Sequence, residues 1–253
     1  MEWIFVALLG ACMGSFVTAA SYRLPREEDI VFMPSRCVAC GQKLAARDLL
    51  PILSWLWTRG RCRFCKTAVH WRYPAIELCC ALIFLLLYAL YGTTWQAGAL
   101  MLLAVMLLIM IVADFEHYII PDEVHWVLAP LALAYHGLIL HSDWENILLG
   151  GLLGLIVGAG LHYGYSHLRK KEALGFGDVK FLVVAGLWLG LRGMVPFFFY
   201  AGLLGIITGL AWRMLGRGPR FPFGPALAMA LFVCTVYPPA VYAFWHLQES
   251  LLP

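Results

Sequence analysis

Long apolar blocks alternate with shorter polar stretches along most of the chain. Most blocks reach or approach the length of about 20 residues with which a helix crosses the hydrocarbon core of a bilayer. None shows the alternation of apolar and polar positions that marks the strands of a membrane barrel. The pattern therefore predicts an all-α integral membrane protein with about eight transmembrane helices. The predicted spans are residues 3–21, 75–92, 95–113, 124–141, 146–166, 178–191, 194–212 and 223–246.

The composition supports a membrane protein and excludes the ordinary soluble class. Apolar residues make up 62% of the chain and charged residues only 13%, whereas soluble domains contain about 25% charged residues. The first span begins with Glu2 instead of a basic segment, and Arg23 and Arg26 follow it. We therefore expect an uncleaved anchor with its N-terminus outside, and not a secretory signal peptide.

Positively charged residues indicate the orientation, because cytoplasmic loops next to spans are enriched in Lys and Arg. With the N-terminus outside, the ten Lys and Arg residues from Arg23 to Arg72 fall in one cytoplasmic loop, and only Arg192 of all 18 falls outside. The same topology predicts that Asp114 and Asp178 both lie at the cytoplasmic face. The later cytoplasmic cations are Arg169, Lys170, Lys171, Lys180, Arg213, Arg217 and Arg220.

One stretch, residues 23–73, departs from the apolar pattern and predicts a small cytoplasmic domain between the first two helices. It contains two Cys-x-x-Cys pairs, Cys37 with Cys40 and Cys62 with Cys65. Its apolar core is too small to be stable without a cross-link. The two pairs favour a tetrahedral structural zinc site with four thiolate ligands. Two disulfides are the alternative, which the reducing cytosol disfavours.

Aromatic and basic residues lie together between the cysteine pairs. Trp55 and Trp57 are followed closely by Arg59 and Arg61. Such a surface is compatible with nucleic acid, but beside a membrane it favours contact with anionic lipid headgroups. We therefore expect membrane lipid, and no nucleic acid, as its partner.

Two aspartates at the ends of apolar runs are candidates for chemistry, because a carboxylate beside a membrane-length apolar segment is costly to keep there. The first, Asp114, follows the third predicted span, and Asp122 comes after Pro121. Pro121 is expected to stop or restart a helix, which gives Asp122 a structural role as a helix cap. Asp114 has no such role, so the sequence predicts a functional one for it.

The second candidate, Asp178, ends the segment Gly175-Phe176-Gly177-Asp178. The two glycines let the backbone take unusual dihedral angles and let an extended peptide approach closely. The alternative is a plain helix start with Asp178 as the cap. Lys180 either supplies a positive charge near the carboxylate or extends to the membrane interface.

Three further features are open to a functional or a structural interpretation. The glycine-rich run from Gly150 to Gly160 predicts close helix packing, preferably within the protein and not against a substrate helix. His117 and His125 are expected to be interfacial residues more than ligands. The acidic residues 27–29 either meet a basic substrate segment or are solvated loop charges, and the sequence does not favour one over the other.

Several short motifs follow one another from residue 14 to residue 225. They are GSF at Gly14–Phe16, YRLP at Tyr22–Pro25, the cysteine pairs around LPILSWL, RYPAIEL at Arg72–Leu78, the segment from Asp114 to Asp122, GFGDVK at 175–180 and PFGP at Pro222–Pro225. In this order they resemble the motifs of type IV prepilin leader peptidases, which are membrane aspartic proteases of the GxGD type. The resemblance covers almost the whole chain.

The resemblance implies a bifunctional enzyme of the bacterial inner membrane. Such an enzyme cleaves the leader peptide of type IV prepilins or type II secretion pseudopilins at the cytoplasmic face. It then methylates the new N-terminal amino group with S-adenosyl-L-methionine as cofactor. The motifs that match the family assign catalysis to Asp114 and Asp178, and zinc binding to Cys37, Cys40, Cys62 and Cys65.

The neighbours of the two aspartates are expected to lie near the substrate; they are Gly175, Gly177, Lys180 and Asp122. The predicted divisions of the chain are residues 1–22 as the first transmembrane helix, 23–73 as the zinc-binding loop domain with the methyltransferase part, and 74–253 as the membrane peptidase domain. No residue is assigned to S-adenosyl-L-methionine binding by the motifs.

Physical chemistry suggests how two aspartates would act. Two carboxylates close together in a poorly solvated site do not both ionise easily, so they are expected to share a proton. One then activates a water molecule while the other donates toward the scissile carbonyl. The alternatives are a peptidase without methyltransferase activity and a proton-coupled transporter that uses the same carboxylates, although the sequence shows no internal repeat of the transporter kind.

Overall fold

The computed structural model describes residues 1–169, 175–218 and 221–237, and the regular structure in these ranges is helical. Within the same ranges, β pairing is limited to two isolated bridges in the cysteine-rich segment. The all-α prediction is therefore confirmed. The helices are α1 Glu2–Arg23, α2 Leu53–Trp57, α3 Arg72–Tyr91, α4 Trp95–His117, α5 Asp122–Ala134, α6 Trp144–Arg169, α7 Phe176–Met214 and α8 Gly224–Val236, and a π-helical turn, Tyr135–Leu140, continues α5.

Six helices in the described part of the chain are long and apolar enough to cross a membrane: α1, α3, α4, α5 with its π-helical turn, α6 and α7. The chain is therefore a multi-pass membrane protein, as predicted. The remaining apolar helix, α8, has 13 residues. The predicted last span continues to residue 246, beyond the described residues, so the count of eight spans stays a prediction.

The predicted sixth and seventh spans both lie in α7, which has 39 residues. A straight helix of this many residues would measure about 58 Å at 1.5 Å per residue, nearly twice the hydrocarbon thickness of about 30 Å, but α7 consists of two helices joined at a kink. Its interior is interrupted at Gly190, where φ is 64° and ψ is 176°. Glycine suits this positive φ, and an added Cβ would meet the side chain of Asn146. The break lies at the end of the predicted sixth span, residues 178–191.

Residue contacts divide the chain into two units, unit 1 Met1–Val112 and unit 2 Ala113–Pro253. Unit 1 contains α1 to α3 and both cysteine pairs. Unit 2 contains α5 to α8. The boundary falls within α4, whose residues up to Val112 belong to unit 1 and whose last residues, from Ala113, belong to unit 2. Asp114 and Asp178 therefore lie in the same unit, although a long stretch of chain separates them.

In unit 1, α1 packs closely against α3 through two glycines. A Cβ on Gly10 would lie 2.8 Å from the Cα of Ala81, and a Cβ on Gly14 would lie 2.5 Å from the Cα of Glu77. Any larger residue would push the two backbones apart. The glycine of the GSF motif is thus explained by helix packing.

In unit 2, the glycine-rich run of α6 packs against the first half of α7. A Cβ on Gly150 would lie 2.5 Å from the carbonyl oxygen of Gly186, and a Cβ on Gly158 would lie 3.1 Å from the side chain of Val179. Gly160, in contrast, has open space beside it. These contacts confirm the preferred prediction that the run serves packing within the protein.

Buried polar contacts hold the first half of α7 against α5 and its π-helical turn. The Nε2 atom of His136 lies 2.9 Å from the carbonyl oxygen of Trp188, and its Nδ1 atom lies 2.9 Å from the hydroxyl of Ser142. The indole Nε1 of Trp188 donates to the carbonyl of Leu128 at 3.1 Å. Together these bonds fix the position of α7, whose first turn carries Asp178.

Candidate aspartate site and cysteine cluster

Asp114 lies in the last turn of α4 and is buried, with 6% of its surface exposed. Its Oδ2 atom accepts the backbone N–H of Gly224 at 2.8 Å. Gly224 is the first residue of α8, and the unpaired N–H groups at a helix start favour a negative charge. A Cβ on Gly224 would lie 2.7 Å from this oxygen. The contact therefore depends on glycine at this position.

Asp178 lies in the first turn of α7 and is half-buried. Its Oδ2 atom accepts the backbone N–H of Gly175 at 3.2 Å. Gly175 is the capping residue of α7, and Asp178 is the third residue of the helix. The alternative in which Asp178 is itself the capping residue is therefore wrong, because Gly175 holds that position. Asp178 still contributes to the helix start, since its carboxylate accepts the N–H of the capping residue.

The two aspartates are close enough for the charge of Asp114 to act on the carboxylate of Asp178. The fold thus brings together two acidic groups that end separate apolar runs. Each is oriented by one backbone N–H, from Gly224 for Asp114 and from Gly175 for Asp178. The sequence indicates both carboxylates, but not their amide partners.

The glycine segment before Asp178 lies beside the segment that follows α4. A Cβ on Gly177 would lie 3.2 Å from the Cβ of Ile120, so this glycine allows a close approach of the two chains. Gly175 is exposed and has only Asp178 within 4 Å of an added Cβ. One glycine is therefore needed for packing, whereas the other leaves open space at the site.

Asp122 is the first residue of α5, and Pro121 before it is the capping residue. The prediction that Asp122 caps this helix is wrong: it lies inside the first turn, and no side-chain cap bond accompanies α5. Its Oδ1 atom instead lies 2.6 Å from the Nζ atom of Lys180. The side chains are 57% and 37% exposed, respectively. Lys180 is therefore paired with Asp122 at the rim of the site.

His125 lies one helical turn after Asp122 and is buried, with 8% of its surface exposed. Its ring lies 6.4 Å from that of Phe181, and its Nδ1 atom is 3.9 Å from the Oδ1 atom of Asp122. His125 is therefore a buried neighbour of Asp122, and its position relative to the membrane interface stays a prediction. The spacing of three residues from Asp122 is the sequence signal that places it beside the site.

The four cysteines of unit 1 form a second site. Their sulfur atoms all lie within 4.8 Å of one another, and the sulfurs of Cys37 and Cys65 are 3.9 Å apart. Four sulfurs at about 2.3 Å from a tetrahedral zinc ion would be separated by about 3.8 Å. All four cysteines are free thiols. The cluster therefore fits a metal ion, and the disulfide alternative is not adopted.

Each cysteine pair lies on a tight turn of the same design. The N–H of Cys37 donates to the carbonyl of Gln42 at 3.0 Å, and the N–H of Gly41 donates back to the carbonyl of Cys37 at 2.8 Å. In the second turn the N–H of Lys66 donates to the carbonyl of Cys62 at 3.0 Å. Gly41 and Lys66 both have positive φ, 70° and 60°. These turns present both sulfurs of each pair to one point.

Thr67 favours the metal-binding form of its neighbour. Its hydroxyl oxygen lies 3.4 Å from the sulfur of Cys65. The side chain and then the backbone N–H of Thr67 lower the pKa of Cys65 to about 6. Because thiolates and not thiols bind metal ions, the contact with Thr67 favours the ligand form of Cys65.

Two family models match adjoining parts of the chain. The model described as Bacterial Peptidase A24 N-terminal domain matches residues 8–91, and that of the Type IV leader peptidase family matches residues 101–210. The first match contains the cysteine cluster, and the second contains both Asp114 and Asp178. No solved structure matches the chain.

Curated relatives match the chain over most of its length, and three of them share the name Prepilin leader peptidase/N-methyltransferase. The protein of Dickeya chrysanthemi is 33% identical, over 90% of this chain and 90% of its own. That of Pectobacterium carotovorum subsp. carotovorum is 32% identical over 90% and 91%. That of Stutzerimonas stutzeri is 30% identical over 94% and 91%. By these matches, the chain belongs to the type IV leader peptidase family.

Proposed function

We propose that the chain cleaves the leader peptide of type IV prepilins or type II secretion pseudopilins and then methylates the new N-terminus. Relatives at 30% to 33% identity carry both activities in their name. The assignment of peptidase activity rests on Asp114 and Asp178. Asp114 is buried, Asp178 is half-buried, and they lie close enough for the charge of Asp114 to act on Asp178. We propose these two residues as the catalytic pair.

The hydrolysis requires no nucleophile from the protein. One carboxylate takes a proton from a water molecule, whose oxygen attacks the scissile carbonyl carbon. The other, protonated, carboxyl group donates to the carbonyl oxygen. The C–N bond then breaks, and the leaving nitrogen takes up a proton to become the new N-terminus. The shared proton belongs to the pair of Asp114 and Asp178 and not to either one.

The residues around the pair suit a peptide substrate. The open space at Gly175 gives an extended peptide room beside Asp178, and Gly177 keeps the neighbouring chain close. The exposed carboxylate of Asp122 and the ammonium of Lys180 lie at the rim, where charged residues of a leader peptide would pass. We therefore keep these four residues as substrate-proximal.

The charge pattern supports a location in the bacterial inner membrane with the N-terminus outside. In that orientation the aspartate pair works at the cytoplasmic face, and the basic loop meets membrane lipid and no nucleic acid. We further propose residues 1–22 as an anchor helix, 23–73 as the loop domain with the methyltransferase part, and 74–253 as the peptidase domain.

Zinc is the metal we propose for the cysteine cluster. Four thiolates satisfy a tetrahedral zinc ion and leave no position for a substrate, so its role is structural. The ion would join the two turns, whose ligands come from chain segments on either side of α2. Because the loop domain has few buried apolar residues in the structure, this cross-link would supply much of its stability.

Methylation requires a methyl donor, for which we propose S-adenosyl-L-methionine. When bound, it supplies a methyl group on a positively charged sulfur: the lone pair of the neutral α-amine forms the new N–C bond, the S–C electron pair stays on sulfur, and one proton leaves the nitrogen. The protein must therefore bind the donor next to the free amine and exclude water from it.

The decisive experiment uses the purified full chain in detergent with a prepilin and S-adenosyl-L-methionine. Mass spectrometry should show loss of the leader and addition of one methyl group to the mature N-terminus. Cleavage without methylation would leave a peptidase alone. If the folded, zinc-loaded protein cleaves neither a prepilin nor a pseudopilin, the proposed peptidase activity is wrong.

A further inference from the structure

Unit 1 contains a cavity of about 590 Å³ that plays no part in the proposed peptide hydrolysis. Its walls come from the end of α1, the two cysteine turns, α2 and the start of α3. Small-molecule sites in proteins commonly have volumes of about 300–1,000 Å³. The cavity therefore has the size of a site for a cofactor.

The cavity has a buried acidic group. Glu77 of α3 lines it and is buried, with 8% of its surface exposed. Its Oε2 atom accepts the backbone N–H of Ile52 at 2.7 Å, and the side chain of Ser15 also hydrogen-bonds the carboxylate. A buried carboxylate is costly unless it has a partner. These bonds hold the group in place while it remains part of the cavity wall.

A positive group lines the same cavity. Arg23 at the end of α1 is 9% exposed, and its Nη1 atom donates to the carbonyl of Met33 at 2.8 Å and to that of Asp29 at 3.3 Å. A guanidinium has five N–H donors, so these contacts leave others for a ligand. The cavity thus offers a buried acidic group and a buried basic group to one bound molecule. The other charged residues that line it are less buried, namely Glu28, Asp48, Arg36, Arg61 and Arg63.

Aromatic rings complete the wall, namely Tyr22, Trp55 and Tyr73. The indole Nε1 of Trp55 donates to the carbonyl of Val69 at 3.0 Å. A Cβ on Gly60 would lie 2.8 Å from the Trp55 ring, so the ring rests directly on this glycine. The indole is therefore held in place, as a stacking surface for a planar ligand requires.

We propose that this cavity is the S-adenosyl-L-methionine site. The ligand has a sulfonium, an ammonium, a carboxylate and an aromatic base, which together need an acidic, a basic and an aromatic wall. Glu77 offsets the sulfonium charge, Arg23 binds the ligand carboxylate, and the aromatic wall that includes Trp55 takes the adenine. The assignment rests on the proposed methyl transfer and adds the residues that serve it.

The cysteine cluster and the cavity share a wall, because Cys37 and Cys62 line the cavity. A metal ion that joins the two cysteine turns therefore also shapes the methyl-donor site. This gives the structural zinc a consequence for methylation, although its four ligands leave no position for the donor itself.

A binding measurement without prepilin tests the site. Radiolabelled S-adenosyl-L-methionine is equilibrated with the full chain in detergent, and S-adenosylhomocysteine competes for it. Glu77→Gln should weaken S-adenosyl-L-methionine binding by about tenfold or more, but S-adenosylhomocysteine binding by less than about threefold, because the latter lacks the sulfonium charge. An unchanged zinc-to-protein ratio shows that the loop domain of the variant is folded.

A second variant fills the cavity and leaves its charges intact. Ala19 lines the cavity on α1, so Ala19→Phe should abolish donor binding. Cys12 is exposed on the same helix and does not line the cavity, so Cys12→Phe adds the same ring without effect on binding. Equal binding by wild type and Ala19→Phe would overturn the site.

The outcomes separate this site from the proposed function. If the wild type binds the donor and methylates, and Ala19→Phe binds it equally well, the cavity assignment is wrong while methyl transfer stands. If the folded wild type neither binds the donor nor methylates, the methyl transfer fails and the cavity assignment fails with it. Leader cleavage is assayed separately and is decided by neither result.

Discussion

The cysteine cluster and the aspartate site are built in opposite ways. Each half of the cluster is one short turn that supplies two ligands, and the backbone bonds that shape it lie within six residues, as from Cys37 to Gln42. The aspartate site instead takes Asp114 from the end of α4, Asp178 from the start of α7, and the amide of Gly224 from the start of α8.

The difference shows what local sequence specifies. A turn with two cysteines forms its ligand geometry by itself, and the metal then joins two such turns. A pair of carboxylates from separate helices depends on the packing of every helix between them. We therefore expect changes in the two regions to have separable effects: on zinc and methylation in one, on cleavage in the other.

The largest expected effect comes from removing either carboxylate. Asp178→Asn and Asp114→Asn keep the side-chain size and an oxygen that accepts the Gly175 or Gly224 amide, but they remove the proton exchange. Cleavage of a prepilin in detergent should fall by roughly 10²- to 10⁴-fold. Asp143→Asn, in the exposed turn before α6, is the matched control and should cleave normally. If either of the first two variants is folded and still cleaves normally, Asp114 and Asp178 are not the catalytic pair.

Loss of a cysteine ligand should affect zinc binding and methyl transfer in the loop domain, and not the aspartate site. Cys65→Ser should lower the zinc-to-protein ratio from about one to near zero, expose residues 36–68 to protease, and reduce methyl transfer by about 100-fold or more, because the turns lose their cross-link. Cys79→Ser, on the exposed side of α3, is the control. Cleavage should fall much less than methylation. A zinc-free variant that methylates normally would contradict the structural role of the metal.

The amide partner of Asp114 should show a smaller effect. In Gly224→Ala the added methyl would lie 2.7 Å from the Oδ2 atom of Asp114, so α8 or the carboxylate must move. Such overpacking costs about 1–3 kcal/mol, and cleavage should fall by about tenfold. Gly202→Ala on α7 adds a methyl into open space and serves as control. Equal cleavage by the two variants would show that Asp114 does not need this contact.

The sequence predicts the features that depend on the spacing of residues along the chain, and those that depend on the free-energy cost of a charged side chain beside a membrane span. The four cysteines form the expected cluster, and the helical membrane architecture follows from the apolar blocks. Asp114 and Asp178 stand out because carboxylates are expensive beside membrane spans. The same rule applies to Glu77, which lies inside the predicted second span and is buried.

The sequence does not predict contacts that arise only from packing. The PFGP motif contains Gly224, but nothing local indicates that its amide reaches Asp114. Pro121 suggests a helix start, yet whether Asp122 caps it or lies inside it differs by one residue, below the accuracy of helix boundaries. The ion pair with Lys180 joins α5 to α7, and its formation depends on how these helices pack.

The smallest effect is expected at the ion pair between Asp122 and Lys180. Both side chains are partly exposed. A double-mutant cycle with Asp122→Asn and Lys180→Gln should therefore give a coupling free energy of unfolding of about 0.2–1 kcal/mol that weakens with salt.

The same ion pair should affect substrate binding more than chemistry. If it borders the leader peptide, Asp122→Asn should raise KM for a basic leader about two- to fivefold and leave kcat nearly unchanged, since a rim charge contributes to encounter more than to chemistry. A leader with neutral residues in place of its basic ones should show no change. A loss of kcat as large as that of Asp178→Asn would instead place Asp122 among the catalytic groups and would mean that the aspartate site extends to its exposed rim.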